Sequence, residues 1–333
     1  MRKKGLVERI LIKDPASEDF SYDKFPKNRK ELFLYMIKNK LWKVYQNHWF
    51  MALFFLPLIV WGVLTLDYAN MVFSLDPKEG LTHLVEYWVT VYVTAIPLWM
   101  IAFVGIAGGL NVIRKLAWSD PVIIRTDFWQ GIKASGKQMA FIGFFFGAAY
   151  AVVRYAIDWL GFYYSVFDDS YSSVFGIFVS LFLLVALIGL TVYMSCMSCI
   201  YNVNLKQLFV GAFKLYVSDF FLATGVILLS FSPIVLLMIA ERAITVLFVY
   251  LFILCLLIGF MIIPAFLVCH HTFDRIINKK DYPNYYGRGL SYGTYEDKKI
   301  ALNDAELEES LDDSSRKESC DKVENDFERV DDE

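Results

Sequence analysis

Six long apolar runs, separated by polar segments, constrain the fold of this chain more than any other feature. The runs carry few charged residues and cover roughly 49–66, 88–110, 138–157, 174–195, 217–239 and 243–268. A helix needs about 20 residues, at a rise of about 1.5 Å each, to cross the hydrocarbon core of a bilayer. A run that is apolar on every helical face is unusual in a soluble domain. We therefore predict an all-α polytopic membrane protein with six transmembrane helices arranged as three helical hairpins.

Composition agrees with a membrane domain that is flanked by polar ends. Hydrophobic residues make up 57% of the 333 residues and charged residues 20%, against about 45–50% and about 25% in soluble domains. The predicted regions are a basic cytoplasmic N-terminal segment with an amphipathic helix (1–48), a six-span membrane domain (49–268), a cytoplasmic C-terminal segment (269–303) and an acidic disordered tail (304–333). Charged sequence follows Met1, so we expect no secretory signal peptide.

The charge of the connecting segments predicts the orientation of the chain. Lys and Arg are frequent before the first run, between the second and third runs, and after the sixth. Asp and Glu dominate after the first and third runs. Basic connections face the cytoplasm in most membrane proteins. We therefore predict that both termini lie in the cytoplasm.

Three of the runs are preceded by similar short segments, in which an aromatic residue stands five positions before a lysine. These lead-in segments are 33–38, 128–133 and 209–214. Such a pattern is typical of a short amphipathic helix in the membrane interface, with the lysine reaching towards lipid phosphates. The three hairpins are then related repeats. The alternative is that aromatic and basic residues are simply common beside the inner leaflet.

Glycines and charges inside the runs predict contacts between helices. Gly105 and Gly109, and likewise Gly143 and Gly147, lie four residues apart on one helical face, where two backbones can approach closely. We predict that both pairs pack between the second and third spans. Arg154 and Asp158 have the i,i+4 spacing of an ion pair.

The cysteines give a hypothesis for a metal or redox site. Cys196 and Cys199 end the fourth run, and Cys269 and His270 end the sixth. If these ends meet, thiolates and an imidazole form a ligand set for zinc. The alternative is that the thiols are small buried side chains.

No catalytic constellation is present, and we predict a protein that is not an enzyme and needs no cofactor. The sequence contains no phosphate-binding Gly-Lys-Ser/Thr loop, no His-Glu-x-x-His and no Gly-x-Ser-x-Gly motif. The polar segments are also too short for a separate catalytic domain.

Three segments resemble a bacterial family. Gly108–Pro121 (GGLNVIRKLAWSDP), Asp127–Lys133 (DFWQGIK) and the segment Phe273–Leu290 resemble the YesL family. The resemblance implies a multi-pass protein of the plasma membrane, associated with carbohydrate-uptake loci and without an established activity. It implies no catalytic residues.

These observations together predict a non-enzymatic integral membrane protein of the bacterial plasma membrane that is accessory to solute (carbohydrate) uptake. Its expected partners are the lipid bilayer and a membrane transporter component, and not nucleic acid. The predicted contact residues are Arg114, Lys115, Phe128, Trp129 and Lys133.

Two alternatives remain open at this point. One is an autonomous transporter or channel for a small solute, whose spans are kinked by Pro57, Pro97, Pro233 and Pro264. The other is a metal- or redox-sensing membrane protein that uses the cysteines and histidine named above.

Overall fold

The computed structural model describes residues 26–167, 170–239, 252 and 258–290, and within these ranges the chain is helical without a strand. Residues Arg29–Tyr285 form one compact unit. The α-helices of this unit are α1 Arg29–Leu64, α2 Leu66–Ser74, α3 Pro77–Trp88, α4 Ile96–Ala117, α5 Ile124–Phe167, α6 Ser170–Ile200, α7 Leu205–Ser218, α8 Phe220–Ile239, α9 Ile258–Phe273 and α10 Lys279–Asp281. Short π-helical turns occur at Val89–Val93 and Asp274–Asn278.

Several of these helices are long and apolar enough to cross a membrane. Among the described residues, five stretches meet this condition by length and composition, and the bent pair α7–α8 makes a sixth if it counts as one span. The five are Arg29–Ser74, Pro77–Ala117, Ile124–Phe167, Tyr171–Ile200 and Ile258–Asp281. The length and the apolar composition of these helices confirm the prediction of an all-α, multi-pass membrane protein. The acidic tail and the first 25 residues lie outside the described residues.

Two helices are far longer than a bilayer is thick. Helix α1 has 36 residues and α5 has 44, which at roughly 1.5 Å per residue gives lengths of about 54 Å and about 66 Å. The hydrocarbon core is about 30 Å thick. Both helices run without a break through their lead-in segments, so the prediction of separate amphipathic helices at 33–38 and 128–133 is wrong. The helices continue because Leu32, Met36 and Phe128 are fully buried against neighbouring helices.

The third lead-in segment does form a helix of its own. Helix α7 is separated from α8 by a bend of 96°. Its inner face buries Leu208 and Leu215, while Phe209 and Phe213 are exposed on the opposite side. A separate helix at this position agrees with the prediction, whereas its amphipathic role in the membrane interface stays a prediction. The bend occurs at Asp219, the residue between the two helices, whose backbone is not helical.

Glycines set the closest approach between α4 and α5. A Cβ atom built on Gly143 would lie 2.9 Å from the carbonyl oxygen of Trp99, and one on Gly147 would lie 3.2 Å from its ring. This pair packs between the predicted second and third spans, as expected. The other pair does not. Gly105 and Gly109 face Phe54 and Met51 of α1, because glycine spacing identifies a helix face but not the helix that will cover it.

Helix α1 lies between α4 and α9 and is joined to both by buried polar side chains. Asn47 Nδ2 donates to the carbonyl oxygen of Gly109 at 3.2 Å. The backbone N–H of Gly259 donates to His48 Nδ1 at 3.0 Å. Both neighbours are glycines, which lets the backbones come within reach of these side chains. The predicted boundary at residue 48 therefore falls inside a continuous, packed helix.

Candidate functional site

Buried charged side chains gather where α1 and α5 begin and α4, α6 and α9 end. We call this region the polar end and define it by Arg29, Lys115, Asp127, Asp219 and Asp274. At its centre Arg29, of which 9% is exposed, forms an ion pair with Asp274. Asn278 Nδ2 donates to the other carboxylate oxygen of Asp274 at 2.8 Å. A buried carboxylate is tolerated when it is paired and hydrogen-bonded in this way.

His270 is fully buried beside this ion pair. Trp118 Nε1 donates to His270 Nε2 at 2.8 Å. The other ring nitrogen, Nδ1, lies 2.9 Å from an Arg29 nitrogen and 3.3 Å from an Asp274 oxygen. Both ring nitrogens are therefore engaged by protein groups, and the imidazole connects α1, α4 and α9.

A second set of hydrogen bonds connects the end of α9 and the π-helical turn after it to the bend after α7 and to the end of α6. Thr272 Oγ1 donates to an Asp219 oxygen at 2.8 Å, and Arg275 pairs with the other oxygen at 2.7 Å. Tyr201 donates to Asn278 Oδ1. Burial raises the pKa of the Tyr201 phenol, so this hydroxyl stays protonated and remains a donor.

Charged side chains hold the connection between α4 and α5 in place through ion pairs and hydrogen bonds. Lys115 Nζ lies 2.6 Å from one oxygen of Asp127, and the other oxygen accepts the backbone N–H of Ile123 at 2.8 Å. Arg114 donates to the carbonyl oxygen of Cys199 at 2.5 Å and to Asn111 Oδ1 at 2.7 Å. Arg114 and Lys115, which were predicted to contact a partner, are therefore used inside the protein.

Of the other three predicted contact residues, one is buried and two are exposed. Phe128 is fully buried, with its ring 5.3 Å from that of Phe50. Trp129 is 47% exposed, and Lys133 is exposed as well. Both belong to a row of exposed side chains with a spacing of four on α5. This row, which we call the basic stripe, consists of Arg125, Trp129, Lys133 and Lys137.

The predicted metal ligands do not converge in the described structure. Cys196, Cys199 and Cys269 are buried free thiols. Cys199 Sγ lies 3.7 Å from Ser135 Oγ and 3.6 Å from the carbonyl oxygen of Ala107. Within the described ranges no group of three or more His, Cys, Asp or Glu side chains is placed to hold a metal ion. Metal binding by these residues stays a prediction that this geometry does not support.

Farther along α5, the predicted pair between Arg154 and Asp158 is confirmed, with a distance of 3.0 Å between nitrogen and oxygen. Arg154 Nε also donates to the hydroxyl of Tyr92 at 3.2 Å. The pair is neutral as a unit and joins α5 to the π-helical turn.

Sequence reasoning missed the centre of the polar end, although part of it carried a signal. His270, Asp274 and Asn278 follow one another at intervals of four residues directly after the sixth apolar run. This spacing places them on one helical face, where polar groups need partners. Arg29 and Trp118, which supply those partners, show no comparable pattern.

No family model, curated protein or solved structure matches this chain. The resemblance to the YesL family therefore rests on the three sequence segments alone and stays a prediction.

Proposed function

We propose that this protein is a non-enzymatic, six-span protein of the plasma membrane, with three helical hairpins and both termini in the cytoplasm. We further propose that its polar end binds a membrane component of a solute-uptake system. The orientation is supported by the basic residues of α1 and α5, which favour the cytoplasmic side. The sixth span is then the bent pair α7–α8, with α7 in the membrane interface.

The observation that carries the docking proposal is the basic stripe. Its cations, Arg125, Lys133 and Lys137, are exposed on the same helix as the half-exposed Trp129. Trp and Arg are enriched in protein interfaces, and charged groups such as the two lysines steer the association of complementary partners. The same types of residue also suit lipid headgroups, so an experiment must distinguish the two.

Rigidity of the polar end supports the same proposal. The helix that carries the stripe is anchored by the buried Asp127–Lys115 ion pair and by close packing of Gly131 on α4, where an added Cβ would lie 2.9 Å from the carbonyl oxygen of Ala107. A surface held in one conformation loses less entropy when it binds a partner.

Photo-crosslinking in native membranes tests the docking proposal. We expect a photoreactive residue in place of Trp129 to crosslink to a membrane protein, which mass spectrometry identifies as an uptake component. Charge reversal with K133E and K137E is expected to lower this yield by about tenfold, equivalent to about 1.4 kcal/mol. The matched control is K206E with K214E, since these lysines are exposed on α7. Crosslinks to lipid alone, or equal yields in both variants, contradict the proposal.

A further inference from the structure

A cavity of about 480 Å³ lies in the half of the helical unit away from the polar end. Its wall includes residues of α1, α2, α3, α4, α5, α8 and α9. The aromatic side chains of this wall are Phe55, Trp61, Tyr87, Tyr92, Trp99, Tyr150 and Phe231. This volume falls in the range of about 300–1,000 Å³ that is common for ligand pockets.

The polar groups of the wall are largely used in bonds within the protein. Trp61 Nε1 donates to the carbonyl oxygen of Val91 at 3.0 Å. Thr65 Oγ1 donates to the carbonyl oxygen of Trp61 at 2.9 Å. The hydroxyls of Tyr87 and Tyr92 lie 3.4 Å apart. A sugar or an ion would therefore lose its hydration in this cavity and find few partners in return, whereas an apolar group would lose nothing.

The π-helical turn Val89–Val93 forms part of this wall, and Pro97 explains why it is there. A proline at position 97 has no N–H for the carbonyl oxygen of Val93, and its ring collides with that carbonyl in a regular helix. The chain instead forms a hydrogen bond from the Thr94 N–H to the carbonyl oxygen of Val89 at 3.3 Å. Such turns widen a helix locally and occur often at functional sites. Val91 and Tyr92 both belong to this turn and to the cavity wall.

The surroundings of the cavity indicate where its ligand comes from. Large apolar side chains are exposed on the same helical stretches, namely Leu56, Val60, Leu64 and Val89. In a helix that spans a membrane, exposed aliphatic side chains at this depth face lipid hydrocarbon. The medium beside the cavity is then the bilayer itself.

We propose that the cavity binds the hydrocarbon chain of a membrane lipid, either an acyl chain of a phospholipid or the chain of a prenyl lipid. The neutral Arg154–Asp158 pair behind Tyr92 applies no net charge to the site, so shape and apolar contact select the ligand. This inference is independent of the docking proposal, which concerns the opposite end of the unit.

Quantifying the lipid retained by the purified full-length protein tests this inference. We expect the wild type, after exhaustive detergent exchange, to retain about one lipid per chain in extracts analysed by mass spectrometry. The combined variant A69F/I262F fills the cavity, because both residues line it, and should retain at least fivefold less. The matched control A134F adds the same ring to an exposed position on α5 and should retain the wild-type amount. If the double variant does not elute as a single species, A69L alone serves in its place.

Each outcome of this experiment decides the inference. Retention of a phospholipid or of a prenyl lipid, lost only in the filled variant, supports it and identifies the source of the chain. It is overturned if the filled variant retains as much lipid as the wild type. Wild-type protein that retains no lipid, or that retains detergent only, overturns it as well.

Discussion

Replacing Asp274 by leucine lowers the free energy of unfolding by about 3–5 kcal/mol, because it removes one partner of the buried ion pair between Arg29 and Asp274. Arg29 and Asp274 have exposed side-chain fractions of only 9% and 8%, so water cannot solvate the remaining charge well. Asn278 Nδ2 loses its acceptor in the same variant. Equilibrium unfolding in mixed micelles, followed by tryptophan fluorescence, measures the loss.

A solvent-exposed pair provides the control for this prediction. His83 Nδ1 lies 3.9 Å from a Glu86 oxygen, and the two side chains are 55% and 73% exposed. An exposed contact of this kind contributes about 0–1 kcal/mol, so E86Q should unfold nearly as the wild type does. Losses of equal size in D274L and E86Q would contradict the special role of the buried pair.

A double replacement separates the ion pair from other effects of the substitution. The variant R29M/D274L removes both buried charges. An apolar pair of similar volume often matches a buried ion pair in stability. We expect the double variant to recover most of the stability that D274L loses. If the stability losses of R29M and of D274L, each measured alone, add up to the loss of the double variant, the side chains do not interact in the folded protein.

Adding one methyl group at Gly143 is the second change with a large expected effect. The new Cβ would lie 2.9 Å from both the Met100 Cα and the Trp99 carbonyl oxygen. Both are backbone atoms, so no side-chain rotation relieves the contact, and α4 and α5 must separate. Overpacking of this kind costs about 1–3 kcal/mol.

Gly161 on the same helix is the matched control. A Cβ at Gly161 meets nothing within 4 Å. Alanine is favoured over glycine in a helix by roughly 1 kcal/mol, so G161A should be as stable as the wild type or more so, whereas G143A should be less stable. The same unfolding measurement compares the two variants. Equal stabilities would mean that α4 and α5 do not approach as closely as the structure shows.

Local patterns in the sequence predicted the parts of the fold that depend on local interactions. The apolar runs predicted helices of membrane-spanning length, since backbone hydrogen bonds must be satisfied within each helix. The Arg154–Asp158 pair followed from a spacing of four residues. The lead-in segments show the limit of this reasoning. All three have the same pattern, yet only α7 is separate, because burial of Met36 and Phe128 against other helices holds the first two in line.

Contacts between distant segments were not accessible in the same way. Arg29 and Asp274 are 245 residues apart, and their pairing depends on where α1 and α9 meet. Phe128 was predicted at a surface, but the neighbouring glycine Gly108 on α4 creates the space that its ring occupies. A sequence pattern indicates that a side chain needs a partner, whereas only the packed helices determine which one it finds.

Cysteine labelling at the two ends of α5 tests the central claim, a membrane-spanning bundle with its polar end in the cytoplasm. Gln130 and Ser165 are exposed and lie about 50 Å apart along the helix. In whole cells, in a background with Cys255 and Cys320 replaced by serine, a membrane-impermeant maleimide should label S165C at once. It should label Q130C only after lysis, and the background protein should stay unlabelled. Labelling of Q130C from outside, or of both sites from the same side, contradicts the account.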